Sequence, residues 1–527
     1  MRLPFSTQFR SKSRRKGTKK RDDTTRDQKP MDYTQNISDD ILSSIFSYLI
    51  THSTAVLPPI FGDPRLRLMT VSPRWRRIIL ESSDLWDTIV ILPSSPVLTP
   101  GLAKIAEQWL KFHWRKGHFL SVFLLQPRHL AHINRPGPRD CNPIFRIVED
   151  GILPLARCTT SFSCTLSTSH GIGAFFTIPP GNFYGLERLE FSVPLLPDQD
   201  LARGIKTAIT EELRHFTAFE KLPRLRTAVI TIKNGIHPLA FRIPWRQLTK
   251  LDMINTTLCP HIFLEVISGS APSLEYGSFT IQFEGIGRSN SSAPEDIFRI
   301  VKLRFLQHLH LRLIDPNLDT RIFSRLHLTL SHLRIELDDS KEGWMMSMFQ
   351  DLLSKSRKTL KSLGFWDAPL QGYQNTEMEG SILVYNPPCS QLDLEVLFSM
   401  LPNLEDIRLP IGVYISPNAA DKIARGVLLP SLRILKVSSI TGVDILDMVR
   451  RKNELAYHRP GWVGSSESKL DPGIAIGTDF YPPFFLHVQL LTSSDNHSKV
   501  ELTKRYLRSS SSYQETAVDI HYAKFAV

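Results

Sequence analysis

The sequence predicts an α/β chain: a small three-helix domain followed by an irregular, horseshoe-like solenoid of leucine repeats with a mostly parallel sheet. Three observations predict it. Apolar residues follow helical spacing between about residues 36 and 86. From about residue 89 the pattern changes to strand-like alternation. Between Leu186 and Val437 a leucine template then recurs nine times. The expected organisation is a disordered basic tail at 1–30, the helical domain at 31–88, the repeat array at 89–450, and capping strands with a flexible tail at 451–527.

The helical segment opens on Ser38, a good N-cap, with Asp39 and Asp40 in the first turn, where the helix dipole favours anions. Ile41, Leu42, Ile45, Phe46 and Leu49 follow at helical spacing and form one apolar face. A stretch containing Pro and Gly, Thr51 to Pro64, interrupts. Leu66, Leu68, Met69 and Val71 come next, and Ser72-Pro73 reads as an N-cap with proline at the first helical position. Trp75, Ile78 and Ile79 share a face of that helix, and Leu85-Trp86 closes the segment. Three short helices cannot bury all these groups among themselves, so a partner is expected to cover part of the surface.

Ile89 and Ile91, then Leu120, Val122 and Leu124, alternate as strands. Between them Ala103 to Phe112 reads as a helix carrying Trp109 and Leu110, and Gln126 to Pro143 reads as a loop. The repeat template is L-x-x-L-x-L. It fits Leu186-Leu189-Phe191, Leu248-Leu251-Met253, Leu306-Leu309-Leu311, Leu330-Leu333-Ile335, Leu360-Leu363-Phe365, Leu404-Ile407-Leu409 and Leu432-Leu435-Val437. Two weaker copies are Leu225-Ala228-Ile230 and Leu274-Gly277-Phe279. A proline introduces the copies at Leu225, Leu274, Leu404 and Leu432, where it ends the preceding helix and fixes entry to the strand. A regular leucine-rich repeat carries Asn or Cys three residues after its last leucine. Here Asp338, Ala368, Gly412 and Ile440 stand at such places, so the asparagine ladder is missing and less uniform turns are expected. After residue 450 the pattern fades. Phe484 to Leu491 and Ala517 to Tyr522 read as final strands, and Thr492 to Ser512 as a polar, mobile stretch.

The formal charge of +12 is uneven. Residues 1–30 hold eleven Lys and Arg against three Asp, contributing +8 and leaving +4 for the remainder. The charge thus describes a tail more than a fold, and nucleic-acid binding is not expected of the body. The tail has too few large apolar groups to offset ordering entropy. Its cluster Lys12 to Lys16, followed by Lys19-Lys20-Arg21, reads as a nuclear-import signal or as a solvated charge run, with an N-terminal organelle-import peptide as a third option because no acid precedes Asp22. Nucleus, cytoplasm or both are therefore the expected locations. No apolar h-region or long apolar run appears, so neither a secretory signal nor a transmembrane helix is expected. Five cysteines without a C-x-x-C pair argue against a disulfide framework or zinc site.

No G-x-S-x-G, H-E-x-x-H, Walker or Rossmann glycine pattern is present, and Gly171-Ile-Gly173 lacks a third glycine. His129 and His132 sit in the expected loop without a nearby Cys or acid. No catalytic, metal or cofactor site is therefore expected. The exposed strand positions are the candidate recognition face for a protein or peptide: Arg188, Glu190, Lys250 and Asp252; His308, His310 and Arg312; His332 and Arg334; and Asp406, Arg408 and Lys436. They mix both signs with a basic excess.

The segment Ile37 to Trp86 resembles the F-box motif. The family pattern of Leu-Pro, an acid, Ile-Leu, two spacers and Ile-Phe appears as Ile37-Ser38-Asp39-Asp40-Ile41-Leu42-Ser43-Ser44-Ile45-Phe46, with Leu49 following. Val-Cys-x-x-Trp-Arg and a terminal Leu-Trp appear as Val71-Ser72-Pro73-Arg74-Trp75-Arg76 and Leu85-Trp86. Ser38 replaces the usual proline, and residues from about 50 to 64 look like an insertion. Both departures occur in the expanded F-box families of mushroom-forming fungi, which the chain resembles overall. The resemblance implies a non-catalytic substrate-recognition subunit of a cullin–RING ubiquitin ligase of the SCF type. Its helices would bind the small Skp adaptor through Ile37, Ile41, Leu42, Ile45, Phe46, Leu49, Leu68, Val71, Trp75, Leu85 and Trp86, and its repeats would bind a protein substrate. The alternative is a nuclear leucine-rich-repeat binding or scaffold protein without ligase engagement.

Overall fold

The computed structural model describes residues 34–50, 54–57, 63–82, 85–86, 88–91, 120–124, 152–153, 156–157, 159–165, 178–193, 216–233, 236–283, 300–314, 321–338, 344–367, 390–391, 393–410, 413–439, 442–457, 486–493, 497–508 and 518–523. The basic tail, the helix expected at 103–112 and the loop expected at 126–143 lie outside them. The chain divides into two compact units. One holds the described residues up to Ile50 together with Pro64 to Ser82, and the other holds residues 52–63 and everything from Ser83 onward.

The first unit contains three helices, α1 (Asp39–Leu49), α2 (Pro64–Met69) and α3 (Pro73–Glu81). Ser38 caps α1 by accepting from the Ile41 amide, and Ser72 caps α3 by accepting from the Trp75 amide, as their residue types predict. α1 and α3 meet through Leu42, Phe46, Ile78 and Ile79, all buried, with the Phe46 and Trp75 rings 4.8 Å apart. Arg74 ties the entry to α1 onto α3. It donates to Asp39 at 2.6 and 2.8 Å, to the Thr34 carbonyl at 2.8 Å and to the Ile37 carbonyl at 2.5 Å. Arg77 donates to the other Asp39 oxygen at 2.8 Å. These hydrogen bonds, Arg74's first among them, hold the Asp39 carboxyl below its ordinary pKa.

The second unit is α/β. Among the described residues its main sheet has fifteen strands, all parallel to their neighbours and arranged in chain order. They are β1 (Thr54–Leu57), β2 (Thr88–Ile91), β3 (Leu120–Leu124), β4 (Thr159–Thr165), β5 (Arg188–Val193), β6 (Thr227–Ile232), β7 (Lys250–Leu258) and β8 (Tyr276–Gln282), continuing with β10, β12, β14 and β16 to β19. The pair β9 (Val301–Leu303) and β11 (Leu326–Leu328), and the pair β13 (Trp344–Met345) and β15 (Ser390–Gln391), form two separate small sheets. Between them run β10 (His308–Ile314), β12 (His332–Asp338) and β14 (Ser362–Asp367); β16 (Asp406–Arg408), β17 (Ile434–Ser439), β18 (His487–Ser493) and β19 (Val518–Ala523) follow. Consecutive parallel strands need crossovers. Helices such as Pro260–Ser270, Met346–Lys355, Leu394–Met400 and Pro417–Ala424 lie in these connections.

Every residue of the nine leucine templates is buried. The copies stack in register: Leu251, Gly277, Leu309, Leu333, Leu363, Ile407 and Leu435 face one another in turn along the sheet. The helices close over this apolar side, with Phe263 against Phe279 at 5.2 Å and Phe349 against Phe365 at 5.9 Å. At the strand entrances one carbonyl accepts from two successive amides of the next repeat. Glu275 and Tyr276 bond to Thr249, Gln307 and His308 to Glu275, and Ser331 and His332 to Gln307. Lys361 and Ser362 bond to Ser331, and Glu405 and Asp406 to Lys361. This backbone ladder joins the repeats without the asparagine ladder.

Three expectations are corrected. The stretch expected as an inserted interruption contributes β1, which pairs with β2 in the sheet of the second unit. Leu85 and Trp86 belong to the second unit, whereas β18 and β19 fall where final strands were expected and continue the sheet from β17. The polar stretch after Thr492 contains the helix His497–Arg508, anchored by the fully buried Val500.

The weak template Leu274-Gly277-Phe279 is a packing solution. A Cβ built on Gly277 would lie 2.7 Å from the Phe279 ring, so the large ring occupies the space that leucine fills elsewhere. Gly277→Ala should therefore destabilise the protein by about 1–3 kcal/mol through overpacking. Combining it with Phe279→Leu should cost less than the sum of the two single changes, as read by a double-mutant cycle of denaturant unfolding. Additive losses would contradict this packing account.

Candidate functional site

Two surfaces are candidates. The first is the outer face of α1. Leu42 and Phe46, both expected to dock a partner, instead turn into the core, and Ile50 is buried behind them. A helix turns about 100° per residue, so Ile41 and Ile45 fall on an adjoining side. They are 55% and 41% exposed, Leu49 is 53% exposed, and Tyr48, which the sequence reading passed over, is 85% exposed. Together with Asp40 and Ser44 these four line a shallow, mostly apolar groove. Of the other expected docking residues, Val71 is exposed, and Ile37, Leu68 and Trp75 are half-buried. The Trp75 indole donates to the Thr34 hydroxyl at 3.1 Å. Leu85 and Trp86 are buried, so they are core groups rather than a presented surface.

The second surface is the open face of the sheet. Strand side chains alternate between faces, so the residues flanking each template's inner positions all point outward. Pairing aligns them in rows. The first row runs through Arg188, Thr227, Lys250, Tyr276, His308, His332, Ser362 and Asp406. The second runs through Glu190, Val229, Asp252, Ser278, His310, Arg334, Gly364, Arg408 and Lys436. Arg312 stands in a third row, beside Thr280 and Glu336, with Trp366 beyond. All twelve expected recognition residues therefore share one face. Arg188 and Glu190 lie at its β5 side, 3.9 Å from each other. Residues of β8 to β17 line an open hollow of about 270 Å³ that includes His308, His310, His332, Arg334, Asp406, Arg408 and Lys436.

Tyr276, Ser278, Glu336 and Trp366 share this candidate face and were missed by sequence reading. They stand at the same offsets within their repeats as the residues it found, which is the signal that would have located them. Glu336 is only 2% exposed, and burying a carboxylate demands partners. Arg334 pairs with it at 2.5 Å and the His310 Nε2–H donates to it at 2.8 Å. The other ring nitrogen, Nδ1, lies 3.1 Å from the Ser278 hydroxyl, so both nitrogens of His310 are engaged. Arg312 pairs with Asp338 alongside. Trp366 lies between two guanidinium groups, Arg334 at 4.1 Å and Arg408 at 3.2 Å from its ring centre. Gly364 makes room for the indole: an added Cβ would sit 3.0 Å from Trp366 Nε1.

His308 and His332 stack at 4.2 Å with their rings 14° from parallel, and Tyr276 lies 6.1 Å beyond His308. Among the described residues no cluster of His, Cys, Asp and Glu is placed to hold a metal ion. No helix among them is long and apolar enough to cross a membrane. No protein-family model matches the chain, and a search of curated proteins finds no match.

Burial first, and then the neighbouring His308, lower the His332 pKa, while Asp406 opposes them. A histidine whose pKa is lower folded than unfolded binds its proton more readily in the unfolded chain. Stability that is present above about pH 6.5 should therefore fall as the pH drops below that value. The loss in melting temperature between pH 7.5 and 5.5 should be smaller in His332→Gln than in the wild type. An equal loss would contradict this role for the stack.

Proposed function

We propose that this protein is a non-catalytic substrate-recognition subunit of an SCF-type cullin–RING ubiquitin ligase. The helical unit, read as an F-box, docks the Skp adaptor. The sheet, read as an irregular leucine-rich-repeat solenoid, presents a protein substrate. The observation that carries this reading is the apolar face of α1, where Ile41, Ile45, Tyr48 and Leu49 are exposed and have no cover among the described residues of their unit. The F-box resemblance supplies the partner for that face, and the mixed-charge rows of the sheet suit a protein substrate. The subunit would act by raising effective concentration and orienting the substrate, without supplying a reacting group. On this reading the basic run at 12–21 is a nuclear-import signal.

The docking set is narrower than the motif alone implied. Ile45→Asp should weaken adaptor binding by about 30-fold or more while leaving the fold intact, since it loses a large apolar contact and places a charge in the interface. Phe46→Ala should instead destabilise the helical unit by about 3–5 kcal/mol, because it removes a buried ring from the core. Capture of adaptor and cullin from cells, together with backbone hydrogen exchange over α1, separates the two effects. Wild-type capture by Ile45→Asp would refute the docking face. Failure of the wild-type chain to capture either protein would refute the ligase reading and favour a repeat protein acting without a ligase.

A further inference from the structure

The first row of the open face brings two imidazoles together. His308 on β10 and His332 on β12 are register partners, and their rings stack at 4.2 Å, 14° from parallel. His308 is half-buried and His332 exposed, so both take up protons from solvent. Beyond His308 lies the Tyr276 ring of β8, with the Lys250 ammonium of β7 over it at 4.6 Å. Glu275, whose carbonyl accepts from the His308 amide, stands at the entrance to β8. Beyond His332, Glu405 and Asp406 favour a proton on its ring, and Lys361 disfavours one. The Ser331 hydroxyl lies 2.9 Å from His332 Nδ1. One proton leaves a single charge on the stack. Two protons set like charges face to face at 4.2 Å, and the rings escape that repulsion only by separating.

We propose that the His308–His332 stack is a proton-operated switch on the open face of the sheet. In neutral solution the rings lie together and continue the aromatic row from Tyr276. As the pH falls through the histidine range both rings become charged and part, and His332 turns toward Glu405 and Asp406. The strands themselves stay in place, because Leu309 and Leu333 hold β10 beside β12 from the buried side of the same sheet. The change is therefore confined to side chains on the open face. A partner that packs against the stacked rings in neutral solution loses that platform in acid. The switch is a property of the sheet alone and does not depend on the ligase reading.

The test uses the full chain labelled with carbon-13 at the histidine Cε1 positions. Proton–carbon spectra from about pH 7.5 to about pH 5 follow each ring through its titration. His308→Asn and His332→Asn assign the two signals. At the neutral end the His332 signal should lie upfield of its position in His308→Asn, because a stacked ring is shielded by its neighbour's ring current. That displacement should disappear as His332 titrates. His308→Phe keeps a stacking ring that takes up no proton. In this variant His332 should titrate at a higher pH than in the wild type, and its upfield displacement should survive to about pH 5. If burial alone governs His332, its midpoint is the same in His308→Phe as in the wild type, and that result overturns the proposal. A wild-type displacement that persists after His332 has titrated also overturns it. Both substituted positions lie on the solvent side of the sheet, so the variants keep the buried leucine core. Ile45→Asp should leave these signals unchanged, so a failed ligase reading and a failed switch give different results.

Discussion

Register between parallel strands is the constraint on which the rest of the structure depends. A strand presents alternate side chains to opposite faces, so a shift of one residue would exchange the buried and exposed sets. Here Leu309, Leu333 and Leu363 stand directly beside one another, and the paired amides at each strand entrance bond to the repeat before. Backbone and core thus enforce the same alignment. The rows on the open face follow from it. His308 meets His332, and Arg334 meets Arg408 across Trp366, because strands lie about 4.8 Å apart with side chains at equal heights. The open face is as well specified as the core because one register places both.

This explains what could be read in the sequence and what could not. The nine templates were legible because leucine is both abundant and periodic there, and their burial matches the reading. β4 escaped because Thr159, Phe162 and Cys164 stand where leucines would; Phe162 pairs with Leu189 and Cys164 with Phe191. β1 escaped because four residues carry too little period to be distinguished from a loop. The helix at His497–Arg508 was hidden by its polar composition, since one buried valine was too weak a signal. On the open face, charged residues were noticed and Tyr276 and Trp366 were not, because an aromatic at an outward position reads as core until its register is known. On α1 the composition revealed an apolar helix but not which side was covered. Only the packing of α3 assigns Leu42 and Phe46 to the core and Ile41 and Ile45 to the surface.

The two surfaces differ in physical character, and that difference suits two kinds of partner. The α1 face is compact and apolar. Binding through it would be driven by burial of a few large side chains, with little dependence on salt. The sheet face is a field of paired charges with aromatic platforms. Such a surface discriminates through electrostatic matching more than through buried area. An adaptor that must always engage the same scaffold is served by the first kind, and a receptor that must reject most proteins by the second.

The buried Glu336 shows how that discrimination is built in. Alone, its carboxylate would be costly to bury, and the Arg334 and His310 partners offset the cost. The same pairing removes Arg334 from the charge available to a ligand. A face of uniformly exposed lysines would attract any polyanion. A face whose acids and bases are largely matched to one another attracts a polyanion less and selects by the pattern of its charges.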